Sequence, residues 1–180
     1  MMTYLREKMF RTLWNGVYIA LFRFSPRIFH GWRSTLLRAF GAKIGKGCHI
    51  YPKVIIHAPW NLFCEDNVGI ADKAVIYNQA PVRVGERSVI SQGAHMCTGT
   101  HDYNDEKFRL VAKPINIGRN SWVCAEVFVM PGVNIGDGAV VGARSVVTKD
   151  VLPWTVCAGN PCRIIKERTK PLSSGKSATK

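Results

Sequence analysis

Acidic residues are scarce in this chain: 12 Asp and Glu stand against 25 Lys and Arg among 180 residues, a net charge of +13. The imbalance gathers at the ends. Residues 1–43 hold eight basic side chains against Glu7 alone, and from Lys149 onward Arg163, Lys166, Arg168, Lys170, Lys176 and Lys180 face only Asp150 and Glu167. Such a surface suits anionic partners, whether nucleic acid, acidic lipid or a phosphorylated cofactor, with solvated surface charge as the plainer alternative. No nucleic-acid motif accompanies it, so nucleic acid is set aside. The N-terminal segment also lacks a membrane-spanning run, because the uncharged stretch between Arg11 and Arg23 is eleven residues, against the ~20 that a spanning helix needs. The six cysteines (Cys48, Cys64, Cys97, Cys124, Cys157 and Cys162) form no CxxC pair, and no cleavable signal precedes them. They read as small apolar fillers in a reducing cytosol rather than as a disulfide framework. With 47% hydrophobic and 21% charged residues the chain is ordinary globular material for one modest domain.

What is abundant is a six-residue ladder. Its rungs are Ile44, Ile50, Ile56; Cys64, Ile70, Ile76; Val84, Ile90, Met96; Ile117, Val123, Val129; and Ile135, Val141, Val147, of which thirteen of fifteen are Ile or Val. Only 32 of the 180 residues are Ile or Val, so chance would fill about three of these slots. Four residues after a rung the side chain is usually small, as at Cys48, Ala74, Ser88, Ala94, Ser121, Ala139 and Ser145. Glycine often follows the rung directly, as at Gly45, Gly85, Gly118, Gly136 and Gly142. A helix would show period 3.6 and a surface strand period 2. Period six predicts short strands that each send one aliphatic side chain inward and then turn, stacking as a parallel β-helix. Grouped in threes, the rungs predict five coils over residues 44–152, with two-residue corner bulges between Ile56 and Cys64 and between Ile76 and Val84. From Met96 to Ile117 the gap is 21 residues, so a loop over residues 99–113 leaves the coil and returns, carrying Thr100, His101, Asp102, Tyr103, Asn104, Asp105 and Glu106. A long loop in a compact repeat points to function.

Residues 1–43 differ in kind. Tyr4, Leu5, Met9, Phe10, Leu13, Trp14, Val17, Tyr18, Leu21 and Phe22 recur at helical spacing beside Arg6, Lys8, Arg11 and Arg23, which predicts an amphipathic helix. It can lie on an anionic membrane face with Trp14 and Tyr18 at headgroup depth, or cap the open edge of the first coil. Both roles are compatible. A second helix is expected from Trp32 to Phe40, stopped at Gly41. At the other end Leu152-Pro153 breaks the ladder, residues 153–169 form a cap with a short helix after Pro161, and the Ser/Lys-rich tail 170–180 is expected to be disordered.

The run Ile117–Lys166, "INIGRNSWVCAEVFVMPGVNIGDGAVVGARSVVTKDVLPWTVCAGNPCRIIK", closely resembles the hexapeptide-repeat O-acetyltransferases of the galactoside, maltose and nodulation-factor type. Upstream, "FRFSPRIFHGWRSTLLRAFGAKIGKGCHIYP" and "VISQGAHMCTGTHDYN" resemble more narrowly the acetyltransferases of colanic-acid and exopolysaccharide biosynthesis. The resemblance covers about residues 5–168. It implies a left-handed β-helix, a homotrimer with active sites between subunits, and transfer of acetyl from acetyl-CoA to a saccharide hydroxyl without a metal. His101, in Thr-Gly-Thr-His-Asp-Tyr, stands where the family carries its catalytic base, and a neutral imidazole suits proton removal from a hydroxyl. By position in the motif Ala125 would lend a backbone group, with Ala143 and Thr148 along the pantetheine arm and Lys149, Arg163 and Lys166 at the phosphates, making 153–169 a coenzyme A-binding segment.

The acceptor is less legible. Asn78, Asp102 and Tyr103 are candidates by polarity and nearness to the loop, whereas the Asn that related enzymes use has Ile70-Ala71-Asp72-Lys73 in its place. Trp122 reads either as a wall of the site or as outer packing, and Glu126 either as an orienter of His101 or as a solvated carboxylate. A lipid-linked sugar at the inner face of the cytoplasmic membrane would account for basic residues 1–30. Two rivals follow from the same ladder. A γ-type carbonic anhydrase would hold zinc through His57, His95 and His101, and a non-catalytic scaffold would show no affinity for coenzyme A.

Overall fold

All fifteen rungs are buried, none more than 7% exposed, and the strands that carry them are two or three residues long. In this computed structural model, which describes residues 4–170, they stack as three flat parallel sheets. Face one runs Lys43–Ile44, Leu62–Cys64, Val82–Val84, Ile115–Ile117, Asn134–Ile135, and face two His49–Ile50, Gly69–Ile70, Val89–Ile90, Trp122–Val123, Val140–Val141, Thr155–Ala158. Face three runs Ile55–Ile56, Val75–Tyr77, His95–Cys97, Phe128–Val129, Val146–Val147. The register sets rung on rung, as in Ile44 on Cys64, Cys64 on Val84, Val84 on Ile117 and Ile117 on Ile135. Each aliphatic side chain thereby stacks on its like one coil away, and the core is a continuous column. The small residues four places after the rungs fill the corners: Ala74, Ser88, Ala94, Ala139 and Ser145 are fully buried.

The corners have a second rule. Three residues after the rung the backbone is left-handed, at Asn67, Lys73, Arg87, Asn120, Glu126 and Arg144 with φ between 53° and 63°. The conformation is costly for a side-chain-bearing residue. What it secures is a hydrogen bond to the coil before, as in Asn67 N–H to Lys46 O, Arg87 N–H to Asp66 O and Asn120 N–H to Glu86 O, at 2.8 to 3.0 Å. The glycines directly after the rungs serve a different end: a Cβ on Gly118 would lie 2.5 Å from the Asp137 nitrogen, so close stacking of the next coil excludes any side chain there. The expected corner bulge after Ile56 is a single 3₁₀ turn, Pro59–Asn61.

Three expectations need correction. The coil does not stop at Leu152-Pro153, because Val151 bridges Ile135 and Thr155–Ala158 pairs with Val140–Val141, adding an incomplete sixth coil with Pro153 packed on Gly136. Among the described residues no helix follows Pro161. Arg163–Glu167 is a strand antiparallel to Thr155–Ala158, which closes an edge that would otherwise leave backbone groups open. Trp14 does not face outward to headgroups, being 1% exposed with its indole N–H donating to Ile56 O at 2.7 Å.

The helix that carries Trp14, α1 (Tyr4–Val17), continues as a π turn, Tyr18–Phe22. It caps the first coil through an aromatic cluster in which Trp14 packs on Phe22 and Phe40, at centroid distances of 5.7 and 5.2 Å. A second helix, α2 (His30–Ala39), ends at Gly41 with φ +87°, as its sequence predicts. Residues 1–3 and 171–180 lie outside the described residues, and with them most of the tail expected to be disordered. Among the described residues no helix is long and apolar enough to cross a membrane.

Candidate active site

Hexapeptide periodicity lapses after Met96 because the chain leaves face three as a β-hairpin. Gly99–His101 pairs antiparallel with Leu110–Ala112, His101 opposite Leu110. The loop expected over 99–113 is therefore an ordered arm. Its tip is tied by Asp102 N–H to Arg109 O at 3.0 Å and Phe108 N–H to Asp105 O at 2.8 Å. The Asp105–Arg109 ion pair holds the Asp105 carboxyl below its usual range.

His101 is exposed, and its Nδ1 is bonded to the carbonyl oxygen of Phe108. A carbonyl only accepts, so Nδ1 carries a proton, and of the two neutral tautomers this bond selects the one with the lone pair on Nε2. Phe108 itself sits at φ +45°, a conformation rare for a bulky residue. Asp102 and Tyr103 follow His101 directly. Asp102 Oδ1 accepts the Asn104 N–H at 3.0 Å, and Tyr103 is 80% exposed. Asn78 stands elsewhere: it is fully buried, and its side-chain amide both accepts from Ala58 N–H and donates to Ala58 O, at 2.9 and 2.7 Å. Those bonds make it a corner staple with no side-chain group turned to an acceptor. Glu126 pairs with Arg144 at 2.6 Å and is exposed, the solvated carboxylate of the two readings. Trp122 is half exposed and donates to Ser91 Oγ at 2.8 Å, which fixes the indole on the outer side of face two.

The donor-side residues gather toward the C-terminal coils. Ala125 and Ala143 occupy one corner on successive coils, linked by Arg144 N–H to Ala125 O at 2.9 Å. Among the described residues the N–H groups of Ala125 and Ala143 donate to no partner. Lys149 and Arg163 line one cavity of about 470 Å³ with Asp150, Cys157, Cys162 and Ile164. Asp150 accepts from the Asn134 backbone N–H at 2.8 Å and from its Nδ2 at 3.1 Å, which holds its carboxylate in place, and the two cations Lys149 and Arg163 outweigh its single charge. Thr148 precedes Lys149 on the same exposed turn. Arg163 lies opposite Ala158 and Lys166 opposite Val156, with Ile165 bulged between. Because Thr155 and Cys157 point into the core, both basic side chains stand on the outer side. The set carries the features an anionic, amide-rich arm requires.

The three histidines of the zinc alternative do not converge. His57 packs on Tyr77 and His95 on Phe128, at 4.9 and 4.8 Å between rings, and burial lowers the pKa of both, with Arg11 adding to the effect at His57. His101 is out on the hairpin. Among the described residues no three His, Cys, Asp or Glu stand close enough together to hold a metal ion. The sequence reading missed a second cavity, of about 450 Å³, between α1 and face three, lined by Trp14, Tyr18, Arg23, Lys53, His57 and Lys73 among others. One trace of it was readable: Lys53 and Lys73 each stand three residues after a rung, one coil apart.

Comparison with known proteins agrees with this geometry. Residues 114–149 match the family described as "Bacterial transferase hexapeptide (six repeats)". Over 158 residues, 88% of this chain and 87% of the other, it is 46% identical to "Putative colanic acid biosynthesis acetyltransferase WcaF" of Escherichia coli (strain K12). A maltose O-acetyltransferase from Clostridium difficile 630 superposes with TM-score 0.83 at 27% identity, covering 93% of this chain and 92% of that one. A galactoside acetyltransferase in complex with coenzyme A superposes with TM-score 0.77 at 27% identity, covering 90% and 82%. The chain belongs to the hexapeptide-repeat acetyltransferases, and as a member of that family it is an acyltransferase.

Proposed function

We propose that this enzyme transfers an acetyl group from acetyl-CoA to a sugar hydroxyl, during assembly of a cell-surface polysaccharide of the colanic-acid or exopolysaccharide kind. The observation that carries the reading is the state of His101: an exposed imidazole whose Nδ1–H is held by Phe108 O, leaving Nε2 to accept a proton. A sugar hydroxyl is a weak nucleophile at neutral pH, and a base in this tautomer removes its proton as it attacks. Acetyl-CoA, when bound, supplies the activated thioester. Lys149, Arg163 and Lys166 would meet its phosphates, Ala143 and Thr148 would flank the arm, and the free N–H of Ala125 can donate to the developing oxyanion. Asp102 and Tyr103, beside the base, are placed to meet the acceptor, and Asn78 leaves that set.

The site is completed in a homotrimer. Tyr103, Phe108 and Leu110 on the hairpin are 80%, 58% and 51% exposed, apolar surface that a neighbouring subunit would cover. We place the enzyme in the cytoplasm, touching the inner face of the membrane through residues 1–30. With Trp14 committed to the core, the exposed apolar groups available for that contact include Leu21, Phe24 and Ile28, exposed by 47%, 76% and 80%.

Calorimetric titration with acetyl-CoA at fixed salt tests the donor. Micromolar binding that weakens at least tenfold, about 1.4 kcal/mol, in a Lys149→Ala, Arg163→Ala variant supports the reading. His101→Ala should keep that affinity and lose about 10²- to 10⁴-fold in kcat. Absence of binding by the natural protein would overturn the proposal and leave the non-catalytic scaffold.

A further inference from the structure

The second cavity differs in chemistry from the donor site. Arg23 enters from the end of the π turn, Lys53 and Lys73 from successive corners of coils one and two, and Trp14, Tyr18 and His57 form its walls. The two lysines are held one coil apart, with Lys73 N–H donating to Lys53 O at 3.2 Å. Lys73 is in the left-handed conformation, φ +63°. Neither lysine, nor Arg23, takes part in any ion pair among the described residues, and no carboxylate lines the space. The neighbouring Asp72 accepts the Lys53 backbone N–H at 3.1 Å. His57 Nε2 is buried without a hydrogen-bond partner. Three exposed cations free of ion pairs, around a concavity that no carboxylate lines and with an orphaned ring nitrogen in its wall, are well suited to an anion.

We propose that this cavity binds a phosphate or diphosphate group carried by the acceptor sugar. The enzyme would then acetylate a glycosyl phosphate rather than a free sugar. This rests on the acetyltransferase reading above. Position supports it: His57 packs on Tyr77, and Tyr77 pairs with Cys97 at the root of the His101 hairpin. The cavity wall at His57 and the root of the hairpin at Cys97 thus share face three, about two coil rises or ~10 Å apart along the stack. The phosphate can belong to a soluble glycosyl phosphate or to a lipid-linked one, and the exposed Phe24 beside Arg23 gives the second a surface to approach.

The probe is inorganic pyrophosphate, titrated into protein saturated with coenzyme A so that the Lys149 and Arg163 cavity is already filled. Binding should weaken about tenfold or more in a Lys53→Gln, Lys73→Asn variant whose coenzyme A affinity is unchanged. Lys43→Gln, Arg83→Gln, which removes the same charge from face one, should leave it intact. No binding by the natural protein, or equal weakening in both variants, would overturn the proposal. If coenzyme A itself does not bind, the acetyltransferase reading fails separately, and pyrophosphate is titrated into the Lys149→Ala, Arg163→Ala protein. Glucose 1-phosphate and phosphatidylcholine vesicles carrying a polyprenyl diphosphate then separate the sources. Binding of either one, lost in the lysine variant, supports the cavity and names its ligand's form, and binding of neither overturns it.

Discussion

Gly138 sits at φ +66° with the Trp154 ring where a side chain would be, an added Cβ falling 2.5 Å from Cδ2. Arg168 lies over that indole at 5.6 Å and donates from Nη1 to Asn120 O and Gly138 O. Gly138→Ala should therefore cost about 2 kcal/mol or more, combining overpacking with a strained backbone, and lower Tm by several degrees. Burial also lowers the pKa of His57 and His95 beneath their ordinary 6.5. A histidine kept neutral by the fold binds fewer protons folded than unfolded. Its favourable contribution is complete above the unfolded pKa and fades as pH falls below about 6.5. Thermal melts from pH 8 to pH 5 should fall accordingly, and His57→Gln, His95→Gln should flatten the decline. His101 was legible because its motif is local. The burial of Asn78 was not, because a polar residue in a repeat reads the same whether it staples a corner or faces solvent.

At the scale of elements, Arg33 on α2 is fully buried with no carboxylate partner. Its guanidinium donates to Ile50 O, Ser25 Oγ, Pro26 O and Arg27 O at 2.6 to 2.8 Å. Burial lowers its pKa, yet four neutral acceptors hold it and fasten the Ser25–Arg27 turn to the first coil. Arg33→Met fills similar space and leaves those acceptors unpaired. The expected loss is about 3 kcal/mol, seen as a lower midpoint in urea with the N-terminal cap opening first by hydrogen exchange. Periodicity had already separated helix from coil at residue 43. It failed at Arg163–Glu167, where basic and β-branched residues suit either state. The deciding factor was the exposed edge of Thr155–Ala158, a partner no local pattern announces.

On the scale of the whole molecule, a three-sided prism offers shallow sites, and its exposed hairpin and Trp122 present apolar surface beyond what one chain covers. Sedimentation should give about three times the 20.1 kDa chain mass. Replacing Phe108 and Leu110 with Ser should shift the protein toward monomer and abolish turnover while leaving the chain folded. Part of the basic excess behind the net charge of +13 lines two cationic cavities toward opposite ends of the coil, so raised ionic strength should weaken coenzyme A and pyrophosphate alike.

The sequence by itself determined the β-helix, the phase of its rungs and the point where the hairpin leaves with His101 at its root, because each is written in a period or a contiguous motif. Tertiary structure alone decided that α1 caps the coil with Trp14, that the last segment is an edge strand, that Asn78 is structural, and that Arg23, Lys53 and Lys73 surround one space. Those outcomes depend on which surfaces meet after the coils stack. Contacts across tens of residues are set by burial and unsatisfied edges rather than by neighbours in the chain.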